Sequence, residues 1–556
     1  MPLMGSLYIG ASGLQTSSNA LNTTGHNLSN IDTIGYTRQQ VLQQNKRYNK
    51  VGIAYVCDQQ TGLGVDYAKV RQVRDSFLDK SYRKEVGRAA FYSTSYEVIG
   101  EIETLFGEME GAQFQTSLTD LWNAVEELSM NPSNPTNQGL LVSKASTFLE
   151  RAQAVYGGLC SYQDNLNKQV KDMVDTINQY GDKIYELNQK IIAIEAGGIE
   201  EANDYRDARN QLLDELGSMA MISYEEDVYG AVTVRIEGRN FVKNDSVNYM
   251  GTIEDTDTGF YTPVWPMDEN NHVYNLQQKV SMDLDTDIGS LKALLLTRGD
   301  RRGDYTDIPV KPVRDDYAYG AAGDTAFQAA MTQYYSDTDI YNRDIAPSLL
   351  VNSMAEFDQL IHDIVVSFNE VLNPREAGNT VSGFDLFLRK GIENVTDAED
   401  VTDTSTLYST MNLKMNSKLL QQYTLLGATK KADGTYTNGF MTKDGQENKT
   451  MADQLTALFN KEFAALNPNI STKLTYSQYY TSLVGQIANE GLVYKGISEN
   501  EASAVASIEA SRQQIIGVSD SEELTNMIKF QNAYNASSRY INAVNEMLGH
   551  IIEKLG

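Results

Sequence analysis

An unbroken apolar seam between residues 145 and 194 constrains this chain more than any other feature. Ala145, Leu149, Ala152, Tyr156, Leu159, Gln163, Leu166, Val170, Met173, Ile177, Tyr180, Ile184, Leu187, Ile191 and Ile194 follow one another at alternating spacings of four and three. Fourteen of the fifteen are apolar or Tyr, where a chain that is 41% hydrophobic would give about six. A repeat of about 3.5 residues is the coiled-coil period. Proline breaks helix interiors, and the stretch 136–262 contains none. Asn134-Pro135 suits an N-cap followed by the first helical residue, and Gly197-Gly198 suits a helix end. The pattern therefore predicts a helix over 136–196, roughly 90 Å long. Gly157-Gly158 is its weak point, the place where a kink or break would fall.

Both ends of the chain carry seams of their own. At the start, Leu7, Leu14, Leu21 and Leu28 fall seven apart, and the small residues Ala11, Ser18 and Gly25 form a second row. At the finish, Met527, Phe530, Tyr534, Ser537, Ile541, Val544, Leu548, Ile551 and Leu555 keep the 3,4 spacing over a predicted helix 520–555. Ser519 and Glu522 resemble a capping box at its start. Upstream, Tyr480, Leu483, Ile487, Tyr494, Ile497, Ala504, Ile508 and Ile515 make a looser seam, and 75–130 reads as a further helical region. A lone helix draws most of its stability from packing an apolar face. The end seams have no local partner, so they need each other or another subunit. The expectation is that they stay uncovered in a single molecule until copies assemble.

The middle has a different texture. Val232, Val234 and Ile236 alternate with polar residues before Gly238, which reads as strand and turn. Residues 251–275 read as short strands and turns, 345–372 as helix, and 375–470 as irregular chain. The fold class expected is mainly α with inserted β-rich domains. The N- and C-terminal helices form a coiled-coil-like rod, and the middle of the chain is inserted as outer domains. The division expected is a terminal helical inner region (1–60 and 517–556), a helical-bundle rod domain (61–220 and 475–516), a mixed β-rich domain (221–374) and a second inserted domain (375–474).

Charge and motifs exclude several functions. The net charge of −28 works against sequence-independent nucleic-acid binding and against anionic lipid. No apolar run reaches the ~18 residues of a membrane span, and the first residues lack a secretory signal pattern. Two Cys exclude a disulfide scaffold; Cys57 in a strand-like stretch and Cys160 in the long helix read as inert. His26, His272, His362 and His550 are scattered. Asp283, Asp285 and Asp287 begin like a calcium loop, but Ile288 and Leu294 stand where Gly and Glu are needed. No phosphate loop, dinucleotide loop, zinc motif or serine elbow is present. No cofactor is expected, and no enzyme.

Residues 26–39, His-Asn-Leu-Ser-Asn-Ile-Asp-Thr-Ile-Gly-Tyr-Thr-Arg-Gln, resemble the Asn-x-x-Asn…Thr-x-Gly-Tyr-x-Arg-Gln signature of bacterial flagellar axial proteins. Ile34 stands where that signature usually has Pro. Asn203–Leu213, Ile288–Leu295 and Gly517–Leu555 are similar to segments of one branch, the FlgK family at the hook–filament junction. The resemblance implies a structural protein that is exported without a cleaved signal through the flagellar type III channel. It implies self-association into a ring connecting hook to filament, with the hook protein FlgE, the second junction protein FlgL and the export chaperone FlgN as partners. Its location would be the extracellular flagellum. The implied assembly interface comprises Leu7, Leu14, Leu21, Leu28, Asn27, Asn30, Gly35, Tyr36, Arg38, Phe530, Tyr534, Ile541, Val544, Leu548, Ile551 and Leu555. Gly25, Gly35 and Tyr36 would lie in the turn after the first helix, with Gly35 at positive φ, and Arg38 is open to an acidic partner. The alternatives are another axial protein of hook or rod type, or an intracellular coiled-coil scaffold.

Overall fold

The computed structural model describes residues 2–46, 48–53, 58–107, 113–198, 200–373, 383–391, 399–401, 403–429, 436–441 and 446–555. Helix α1 (Pro2–Ser29) is followed by strands β1 (Gln39–Asn45), β2 (Asn49–Ile53), β3 (Asp58–Thr61) and β4 (Val65–Gln72). Then come helices α2 (Ser76–Gly107), α3 (Phe114–Met130), α4 (Pro135–Glu195) and α5 (Asn203–Met219). Strands β5 (Ile222–Glu226), β6 (Val232–Ile236), β7 (Arg239–Val242), β8 (Gly251–Glu254), β9 (Tyr261–Trp265) and β10 (Asn271–His272) precede α6 (Ser290–Arg298), α7 (Ala321–Ile340) and α8 (Leu349–Leu372). The remainder is β11 (Phe387–Arg389), β12 (Leu413–Met415), α9 (Ser417–Gln421), α10 (Thr450–Asn460), α11 (Tyr476–Ile516) and α12 (Asp520–Leu555).

Helix α4 is the spine. The Asn134 side chain accepts the Thr136 N–H at 2.9 Å, with Pro135 as the first helical residue. No break falls at Gly157-Gly158. A Cβ on Gly158 would sit 3.0 Å from Leu105, so the small residue lets α2 approach. Gln163, the polar member of the seam, is fully buried; its amide donates to the Arg298 and Arg301 carbonyls at 2.7 and 2.8 Å. Beyond Val170 the buried face departs from the apolar one. Val174, Gly181 and Asn188 are buried, whereas Met173, Tyr180 and Leu187 are half-buried and Ile194 is exposed. Close approach decides this: a Cβ on Gly181 would lie 2.6 Å from Phe241.

Two three-stranded antiparallel sheets, ordered β5-β6-β7 and β8-β9-β10, lie against α4. Three asparagines moor them. Asn167, Asn178 and Asn188 each donate to a main-chain carbonyl, of Gly259, Met250 and Val232, at 2.8–2.9 Å. Each also accepts an N–H, from Tyr261, Met250 and Val232, at 2.8–3.1 Å. Spacings of eleven and ten residues are three helical turns, so the amides share one face. Helix α8, inside the segment read as β-rich, belongs physically to the helical core, where it packs on α4, α6, α10 and α11. Its Asp358 is buried, and among the described residues no cation pairs with it. One carboxylate oxygen accepts the Thr410 N–H and Oγ–H at 2.7 and 2.6 Å, and the other accepts the Tyr305 N–H at 3.0 Å. These bonds favour the carboxylate, yet burial outweighs them and pushes its carboxyl up to about 7.

The expected helical region 75–130 is two helices, α2 and α3. The two chain ends correct a further expectation: α1 and α12 pack along one another within a single molecule. The end seams are therefore partly covered before any assembly.

Candidate assembly interface

The α1–α12 pair is antiparallel. Gly10 of α1 lies against Tyr540 and Ile541, Gly13 against Ser537, and Ala20 and Thr24 share a groove with Glu523 and Phe530. A Cβ on Gly10 would come within 2.6 Å of Ile541, and one on Gly13 within 2.7 Å of the Ser537 hydroxyl. The row of α1 turned toward α12 therefore runs through Gly10, Gly13, Ser17, Ala20 and Thr24, spaced three and four, and Asn27 continues that spacing into the turn. Ser17, Ala20, Thr24 and Asn27 are buried. The sequence reading placed the seam on the Leu row and took Ala11, Ser18 and Gly25 as its small companion. Small residues win because they let the helix backbones come close, and no apolar-period count registers Gly or Ser.

Leu7, Leu14, Leu21 and Leu28 flank this contact and are half-buried, as are Phe530, Tyr534, Ile541 and Leu548. Val544 is buried and Ile551 is exposed, while the Leu555 side chain lies outside the described residues. The pair leaves further apolar surface open at Tyr8, Leu524, Ile528, Tyr540, Met547 and Ile552, the last 70% exposed.

The 26–39 signature builds the joint between this pair and the helical body. Asn27, 1% exposed, donates to the Gln39 carbonyl at 2.9 Å and accepts from the Gln39 N–H at 3.0 Å and the Tyr36 hydroxyl at 2.7 Å. Asn30 caps the end of α1 by donating to the His26 carbonyl at 2.9 Å, and accepts the Thr33 hydroxyl at 3.2 Å. Gly35 has φ +81°, a conformation that favours glycine. Gly25 is not in this turn; it lies inside α1. Arg38 finds its acidic partner: Nη1 is 2.7 Å from Glu522, the residue read as half of a capping box. Its main chain donates to the Ile516 carbonyl at 2.8 Å and accepts the Val73 N–H at 2.9 Å. One short segment thus touches α1, α11, α12 and the chain before α2. Ile34, in the position where Pro is usual, points outward and is 88% exposed.

Beneath the signature lies a charge network that the sequence reading missed. Asp207 accepts the Thr37 N–H at 3.2 Å and the Gln72 amide at 2.7 Å. Burial pushes its carboxyl up to about 6, against the opposing bonds from Thr37 and the charge of Arg74. Arg74 grips Asp79 at 2.9 and 3.0 Å, and Arg512 of α11 reaches Asp79 at 2.9 Å and Asp214 at 2.6 Å. Burial works against the Asp79 carboxylate, yet Arg74, Arg512 and Arg83 hold it below the ordinary range. Asp207 sits inside a segment that the family resemblance had singled out; Asp79, Asp214 and Arg512 give no local signal.

Cys57 lies outside the described residues. Cys160 is half-buried in α4, and burial pushes its thiol up. Among the described residues no group of three His, Cys, Asp or Glu side chains could hold a metal ion, and no helix is long and apolar enough to cross a membrane.

Residues 99–387, more than half of the chain, match the family model described as the flagellar hook-associated protein FlgK helical domain. The chain belongs to the FlgK family of flagellar hook-associated proteins. Its two ends match models shared more widely: residues 7–37 the flagella basal body rod protein, and residues 515–553 the flagellar basal body rod FlgEFG protein C-terminal. These two matches fall on α1 with its signature and on α12, so the paired ends are the part that FlgK shares with rod-type axial proteins. Flagellar hook-associated protein 1 of Bacillus subtilis is 24% identical over 97% of this chain and 95% of its own length. Its counterparts from Salmonella typhimurium and Escherichia coli K12 are each 21% identical over 97% of this chain and 98% of theirs. The solved structure of the flagellar hook junction protein FlgK from Burkholderia pseudomallei covers 78% of this chain and 99% of that one. It aligns at a TM-score of 0.51 and 12% identity, which is a likeness of fold. As a FlgK-family member the protein is a structural component of the flagellum at the hook–filament junction, associated with axial components.

Proposed function

We propose that the chain self-associates through the outer faces of its α1–α12 pair into a closed ring that joins hook to filament. The observation that carries this reading is the apolar surface the pair leaves open. Tyr8, Leu524, Ile528, Tyr540, Met547, Ile551 and Ile552 are all exposed, and the Leu row is only half covered. A pair that buries small residues and displays large ones is built to be covered by others. Head-to-tail contacts that close on themselves give a ring. On this reading the hook protein FlgE lies on one side and FlgL assembles on the other. The chain is exported through the flagellar type III route without a cleaved signal, and its role is structural with no catalysis. The open face of α12 suits the chaperone FlgN before export. The domain division follows the same logic, with 1–60 and 517–556 innermost, 61–220 and 475–516 next together with α8, and the remainder of 221–374 and 375–474 outermost.

The test uses exposed positions, where a charge leaves the fold intact. Ile528→Asp with Ile552→Asp is expected to keep the circular-dichroism spectrum and melting temperature while filaments detach from hooks in electron micrographs. Cells that swim normally with filaments attached would overturn the interface. FlgN binding is read separately on chain truncated after Gly517, where loss of the complex is expected and retention moves the dock elsewhere.

A further inference from the structure

Away from the joint, a groove of about 270 Å³ runs between the first turns of α2 and the strand β5. Its walls carry four cationic side chains, Lys80, Arg83, Lys84 and Arg235, against two carboxylates, Glu225 and Asp285. In a chain of net charge −28 this local excess runs against the rest of the surface. Both carboxylates are already engaged, Glu225 with Arg235 at 3.4 Å and Asp285 with Lys84 at 2.8 Å. Arg83 is buried, bonded through Nε to Asp214 at 2.6 Å and stacked 4.4 Å above the Tyr224 ring. Its Nη1 has no hydrogen-bond partner among the described residues. Lys80 makes no ion pair among the described residues; its ammonium lies 5.8 Å from the same ring.

The unpaired Lys80 ammonium and Arg83 Nη1 call for an oxyanion, and the groove's dimensions narrow the choice. Its volume falls below the about 300 Å³ at which small-molecule sites begin, so it suits an inserted side chain better than a cofactor. Strand β5 is the outer strand of its sheet and its residues 222–225 line the groove. An incoming segment can therefore rest beside an open strand edge while its side chain enters. We propose that the groove receives an Asp or Glu side chain from a second copy of this chain. The choice of a second copy rests on the self-association reading above, in which the nearest neighbour is another acidic copy, and on charge complementarity between that copy and the cationic walls.

The experiment treats isolated hook–filament particles, and separately the free chain, with a carbodiimide that joins an amine to a carboxylate at zero length. In particles, a covalent dimer of the chain is expected, with Lys80 or Lys84 linked to an Asp or Glu that mass spectrometry identifies. From these two lysines the free chain should give only the internal Lys84–Asp285 link, beside unrelated internal links such as Lys144–Asp120. Lys80→Gln with Lys84→Gln changes two exposed side chains without adding a negative charge beside Asp285, so the free variant should melt close to the parent, and the dimer should be lost. Particles that contain the chain but yield no such dimer overturn the groove assignment. So does a link from these lysines to a different axial protein, or an unchanged dimer in the double variant. Phosphate that suppresses the link without disturbing the particles' structure identifies a free-anion site and also overturns it. Particles that lack the chain altogether sink the junction reading, and this proposal with it.

Discussion

The pH sensitivity of this protein is a matter of single buried carboxyls. Glu356 of α8 is fully buried, and its carboxylate accepts from the Asn352 and Gln486 amides at 3.2 and 3.3 Å. The other titratable groups acting on it are Glu490 of α11 and the hydroxyls of Tyr341 and Tyr479. No cation pairs with it among the described residues. Burial, then the charge of Glu490, pushes its carboxyl up to about 8, and burial alone pushes Glu490 to about 7. The folded chain therefore holds protons that the unfolded chain gives up near the ordinary carboxylate value of 4.5. Stability then falls as pH rises from about 5 to about 8 and levels off above that. A denaturant titration series across that range should show this slope, and Glu356→Gln should lessen it, while Glu490, Asp358 at about 7 and Asp207 and Asp307 at about 6 keep the rest. A parent whose stability is flat over the interval would contradict the assignment.

At the scale of elements, the mooring of the sheets to α4 is polar and therefore separable from the helix itself. Asn178 both donates to and accepts from Met250. Asn178→Ala leaves that N–H and carbonyl without partners, at a cost of about 1–3 kcal/mol. Hydrogen exchange should quicken at Met250 and along β8 while α4 stays protected. Unchanged exchange in β8 would mean the sheet is held by its apolar contacts alone. The α1–α12 pair follows another rule. Its small row depends on a partner for every residue it buries, so neither helix is self-sufficient.

For the molecule as a whole, the core and the paired ends are distinct stability units. The principal core cluster draws on residues from Val98 to Ile487 and includes none from α1 or α12. Truncation after Gly517 removes the 36 residues of α12 and should also unfold the 28 residues of α1, which lose their only long partner among the described helices. The body should melt at the parent temperature. Circular dichroism that loses helix for α12 alone would show α1 holding without its partner, and a lowered melting temperature would show that the ends support the body.

Periodicity and capping are local, and for that reason the sequence alone determined that α4, α8 and α12 exist, where α4 begins and how long each runs. It also carried the signature whose Gly35 adopts positive φ and whose Arg38 meets an acid. Other features were invisible in it. The shift of the buried face from Met173 and Tyr180 to Val174 and Gly181 depends on Phe241, sixty residues further on. The choice of Gly10 and Gly13 over the Leu row depends on Ser537 and Ile541 at the opposite end of the chain. The network of Asp79, Asp214 and Arg512 joins three helices that no local pattern relates. A helix's own residues decide that it forms, because its hydrogen bonds close within four positions. Which face it buries is decided by what the rest of the chain brings against it, and a glycine or a buried charge has meaning only once that neighbour is in place.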